Sequence, residues 1–99
     1  MSNEAKLRID ASRGLNAARL LENELLADAF DTLEKSYIAA WRATHINDAQ
    51  SREKLFLAIN VVGKVRDHLT KVVNDGKLAE AELKSLERVA EPKKRFGLV

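Results

Sequence analysis

An all-α fold follows from three observations on this 99-residue chain. Large apolar side chains recur at steps of three and four along two stretches. Punctuation is scarce, with four glycines and one proline, and charged residues make up 32% of the sequence. Together these describe long helices with solvated outer faces. The predicted architecture is an antiparallel hairpin of two long helices, then a short third helix, between flexible terminal arms. The expected division is an N-terminal arm over residues 1–23, the hairpin over 24–76, the third helix over 77–91 and a basic-apolar tail over 92–99. A chain of this length sits near the size at which a single core is marginal alone. Only 5% of its residues are aromatic, so each large side chain matters.

In the arm, Ser2 or Asn3 can cap a short helix through Leu7 and Ile9, and a break is expected near Gly14, because glycine inside a helix costs about 1 kcal/mol relative to alanine. Helical spacing returns at Leu15 and Ala18. Asn23 is either a fresh N-cap, with Glu24 in the first turn, or an interior position of a longer helix. From Glu24 to Thr44, Leu26, Phe30, Leu33, Tyr37 and Trp41 fall on one stripe, and Asp28, Asp31, Glu34, Lys35 and Arg42 on the polar face.

The segment Thr44 to Ser51 breaks the pattern and offers Asn47, Asp48 and Ser51 as N-caps, with Asn47 and Gln50 at capping-box spacing. A connection this short makes its helices antiparallel. The second long helix carries Leu55, Ile59, Val62, Leu69 and Val73 on one stripe, with Leu57 and Val61 off it as a second apolar face. Asn74-Asp75-Gly76 reads as a stop, with Gly76 in the left-handed conformation. The third helix runs from Lys77 to Ala90 and ends at Glu91-Pro92.

Seventeen basic and fifteen acidic residues leave a formal charge of +2, too balanced to announce a nucleic-acid binder. The absence of cysteine excludes disulfides and thiolate metal sites. No basic and apolar leader opens the sequence, and no apolar run approaches the ~20 residues of a membrane span. The expectation is a soluble, cytoplasmic protein with no membrane partner. His45 and His68 fall near opposite ends of the hairpin and cannot share a metal. No nucleophile–base spacing stands out, so no enzyme activity and no cofactor are expected.

Candidate contacts with other proteins are Tyr37, Trp41 and Arg42 near the turn, Leu57 and Val61 on the second face, and Phe96, Leu98 and Val99 in the tail. Tyr37 and Trp41, with Phe56, read equally as a plug of the core, decided by the burial of Trp41. Lys64, Arg66, Lys71, Lys93, Lys94 and Arg95 are candidates for nucleic-acid or phosphate contact, against a plain reading as solvated surface or frayed terminus. A homo-oligomer is expected, since a two-helix hairpin has nothing but its arms or another copy to cover a second apolar face.

The runs Leu20-Leu21-Glu22-Asn23, Leu25-Leu26, Ala29-Phe30, Leu33-Glu34 and Tyr37-Ile38-Ala39-Ala40-Trp41 resemble a group of small helical proteins of tailed bacteriophages and prophages. Arg52-Glu53-Lys54-Leu55, Lys64-Val65-Arg66-Asp67-His68-Leu69 and Asp75-Gly76-Lys77-Leu78 extend the resemblance over roughly residues 20–80. It implies a phage origin and a part in virion assembly or DNA packaging, in a bacterial cytoplasm or a virion. The oligomerisation region of small terminase subunits resembles such a hairpin, with a C-terminal segment engaging the motor subunit. This chain lacks a clear helix-turn-helix before its hairpin. The alternative is a host-defence antagonist or a nucleotide-binding sponge, with Tyr37, Trp41, Arg42 and Arg66 at a subunit interface. The tail over residues 93–99 is the expected protein-docking segment.

Overall fold

The computed structural model describes the backbone of residues 3–98 and the side chains of residues 3–89. Every regular element among them is a helix: α1 Asn3–Glu22, α2 Glu24–Ala43 and α3 Ala49–Leu98. Asn23 resolves as a cap, with extended backbone (φ −68°, ψ 117°) and its side-chain oxygen accepting the Leu26 N–H at 3.0 Å. Its own N–H donates to the Leu20 carbonyl at 3.2 Å, so one residue closes α1 and opens α2. At the other end of α2, the Thr44 hydroxyl donates to the Trp41 carbonyl at 2.6 Å. Asp48 is the candidate that caps α3, its Oδ1 accepting the Ser51 N–H at 3.2 Å.

Packing divides the helices into two units, Met1–Ala18 with Lys71–Val99, and Arg19–Thr70. In the first, α1 meets the later part of α3 through small residues. Gly14, Ala17, Gly76 and Ala79 are the fully buried residues among those described. A Cβ placed on Gly14 would lie 2.6 Å from the Gly76 Cα, and one on Gly76 would lie 2.6 Å from the Gly14 Cα. The two backbones are therefore in contact.

This contact corrects two expectations at once. No break occurs at Gly14 and no stop at Gly76: both lie inside helices, and no described glycine has a positive φ. Each glycine serves close approach, not a turn, and the helix penalty of about 1 kcal/mol apiece is set against backbone contact that no side chain permits. With no stop at Gly76 there is no separate third helix over 77–91, and α3 runs on past Pro92 to Leu98. Because proline has no N–H to donate, the helix backbone goes without one hydrogen bond at Pro92.

In the second unit, Arg52 of α3 reaches Thr44 of α2, and Arg66 reaches Glu34 and Asp31. The numbers run in opposite senses, so α2 and this part of α3 are antiparallel. Leu26, Phe30, Tyr37 and Trp41 face Leu55, Ile59, Val62 and Leu69, all of them half-buried. Leu33 departs from its expected stripe and is 44% exposed. Glu34, expected on the polar face, is half-buried instead, because Arg66 waits for it across the seam.

Candidate interaction surface

Two arginines organise the seam between α2 and α3. Positions 52 and 66 continue the three-and-four spacing of Leu55, Ile59, Val62 and Leu69, so their side chains leave α3 toward α2. The Arg66 guanidinium places Nη2 3.0 Å from Asp31 Oδ1 and Nη1 3.2 Å from Glu34 Oε2. It also lies 5.3 Å from the centre of the Phe30 ring. Arg52 lies over the Trp41 ring at 4.6 Å and donates to the Thr44 hydroxyl at 2.9 Å. A cation over an aromatic face contributes roughly 0.5–1 kcal/mol at partly exposed sites, so both arginines fasten the pair as well as solvating it. Apolar periodicity assigns these charges to the outside. The signal that identifies them is the slot each fills in the repeat.

The expected contact residues separate accordingly. Tyr37 and Trp41 are half-buried on the inner face of α2, whereas Arg42 is exposed beyond it. Trp41 has Arg52 over its ring, a contact that the sequence reading did not anticipate. Phe56, expected beside these aromatics, is 56% exposed. Arg66 is engaged by two carboxylates, and Lys71 pairs with Asp75 of its own helix at 2.8 Å. Lys64 is exposed. Lys93, Lys94, Arg95, Phe96 and Leu98 lie beyond the described side chains, and Val99 beyond the described residues altogether.

Apolar residues also stand open on this unit. Leu57 and Val61 are 54% and 58% exposed, and Val65 continues their four-residue step at 46%. On α2, Leu25 and Leu33 are exposed too, with Ala29 between them. No residue between Arg19 and Thr70 reaches full burial. Two helices alone give each seam side chain cover on one side only, so a surface of this kind is suited to binding another helical surface.

The polar features of the unit do not assemble a reaction centre. His45 lies in the turn, its Nδ1 accepting the Asn47 N–H at 3.2 Å. The hydrogen bonds from Ser51 hold the Asp48 carboxyl below its usual range, as expected of a charged cap at a helix start. Among the described residues no group of three or more His, Cys, Asp or Glu is placed to hold a metal ion, and no helix is long and apolar enough to cross a membrane. No family model, curated protein or solved structure matches this chain.

Proposed function

We propose that this chain is a non-enzymatic interaction protein that works as an oligomer, its α2–α3 hairpin serving as the associating element. The carrying observation is that residues 19–70 bury no side chain fully while exposing Leu25, Leu33, Leu57, Val61 and Val65. Burial of a large aliphatic side chain is worth roughly 1.5–3 kcal/mol, and several such residues on one short unit amount to a substantial drive to associate. The resemblance to small phage helical proteins is what supports virion assembly or DNA packaging as the proposed process, with residues 93–99 docking on a partner protein and repeated copies adding avidity. Anion binding has less support, because Arg66 and Lys71 already face carboxylates.

Absolute mass by light scattering after size exclusion, over a range of concentration, tests this reading. A defined oligomer is expected. A monomer at every concentration would overturn it. Removing residues 93–99 should leave that mass unchanged and abolish capture of the packaging or assembly partner, and a truncated chain that captured it equally well would exclude the docking role.

A further inference from the structure

One row of residues on α2 has its charges sorted along its length. Glu24, Asp28, Asp31, Lys35, Ile38 and Arg42 follow one another at steps of four, three, four, three and four, so they share one face of the helix. All are exposed except Ile38, which is half-buried. The acids come first and the cations last. Asp31 turns to Arg66 at the edge of the seam, and Leu33, about 200° further round, lies on the far side of α2 from the row. The helix dipole favours acids early and bases late, but it fades beyond the first and last turns. It therefore accounts for Glu24 and Arg42 and not for Asp31 and Lys35.

The two cations are left without partners. Among the described residues neither Lys35 nor Arg42 forms an ion pair. Asp31, one turn from Lys35, is held instead by Arg66 at 3.0 Å. Between the two cations lies an open hollow of about 550 Å³, lined by Lys35, Ile38, Ala39, Arg42 and Ala43. Its ends are cationic and its floor is aliphatic.

The acidic half of the same row has the spacing that fits this basic half. Laid antiparallel on a second copy, with residue 33 of one level with residue 33 of the other, the row sets position 24 against 42, 28 against 38 and 31 against 35. Each Arg42 then meets a Glu24 and each Lys35 an Asp31. Each Asp28 comes level with the hollow, between two cations. Such self-complementarity is what a two-fold interface between identical subunits requires. A parallel copy in register would instead set like charge against like at every position.

We propose that α2 binds a second copy of this chain through this row, antiparallel, about a two-fold axis level with residue 33. The contact lies on the flank of α2 away from Leu33, so the exposed apolar residues remain open to a different contact. Exposed ion pairs are individually weak, and their main effect here is to fix orientation and register. This rests on the reading that the chain works as an oligomer, and it adds a salt-sensitive interface to the apolar one.

Sedimentation equilibrium of the full chain at low salt reads the affinity. Arg42→Glu sets acid against acid and Glu24→Arg base against base, and each should weaken association about tenfold with helical circular dichroism retained. The two variants mixed, or both changes in one chain, should recover the wild-type affinity, because every contact again joins opposite charges. An effect confined to one chain would not be repaired by mixing. Lys64→Glu, the same change of charge on the outer side of α3, should leave the affinity unaltered. Raising salt to about 0.5 M should weaken the wild type as the single variants do. A mixture as weak as its components, or equal weakening by Lys64→Glu, would overturn the register. Association indifferent to Arg42→Glu, Glu24→Arg and salt would overturn the interface and leave apolar self-association standing. A wild-type monomer at every concentration and salt would remove both.

Discussion

Where α1 meets the later part of α3, the backbones touch at Gly14 and Gly76 and four small residues are fully buried. Where α2 meets the earlier part of α3, the contact is made by Phe30, Tyr37, Trp41, Ile59 and Leu69, and none is fully buried. Two helices can enclose alanines and glycines between them, because small side chains let the cylinders close over the contact. They cannot enclose aromatic and long aliphatic residues, which keep one flank open. The first unit therefore closes its seam around small residues, although Ile9, Leu15, Leu78, Leu86 and Val89 stand exposed on it, whereas the second leaves every seam side chain partly open.

The sharpest way to break this contrast is the same substitution on both sides. Gly14→Ala or Gly76→Ala drives a methyl to 2.6 Å from an opposing Cα, and the neighbouring atoms are backbone that cannot swing aside. The cost of such overpacking, about 1–3 kcal/mol, should exceed the roughly 1 kcal/mol gained in helix propensity, with valine worse than alanine. Gly63→Ala in the other unit meets nothing within 4 Å and should raise stability by about 0.5–1 kcal/mol. Urea unfolding followed by circular dichroism reads both. Equal signs at Gly14 and Gly63 would erase the distinction.

A smaller effect is expected at the charged slot of the seam. Replacing Glu34 by leucine leaves Arg66 with Asp31 alone, and this partly exposed pair limits the loss to roughly 1 kcal/mol. Leucine at both Glu34 and Arg66 should recover that loss, since a well-packed apolar pair often matches a half-buried ionic one. A double-mutant cycle checks the coupling.

The smallest effect belongs to Asp48. Its carboxyl is held low in the folded state by Ser51, so the stability it lends α3 is present above the unfolded carboxylate value. That contribution is lost as pH falls through the lowered folded value. The Ser51 amide shift should titrate with Asp48 in an acid NMR series, and Asp48→Ala should abolish the titration.

Much of the helical content is legible in the sequence, because Leu26, Phe30, Tyr37 and Trp41, and Leu55, Ile59, Val62 and Leu69, obey one spacing and share one environment. Gly14 and Gly76 mislead for a physical reason. Glycine marks a place where a side chain is unwelcome, and sequence alone does not say whether a turn or a neighbouring backbone forbids it. Glu34 and Arg66 mislead because charge is counted as exterior, although two opposite charges in matching slots can share a seam. Of the exposed apolar residues, Leu57 and Val61 are legible as residues off the main stripe, whereas Leu33 is not, since its step of three from Phe30 assigns it to the seam.

The meeting of Gly14 with Gly76 also sets an order of events during synthesis. Arg66 and its carboxylate partners are separated by 32 and 35 residues, and Arg52 and Thr44 by eight. Those loops close as soon as the middle of the chain has been made. Gly14 has no docking surface until the chain extends beyond residue 76, and until then it is a weak point in an isolated helix of 20 residues. The helix made first is thus the last to be fixed, and long-range closure of that kind is a slow step in folding.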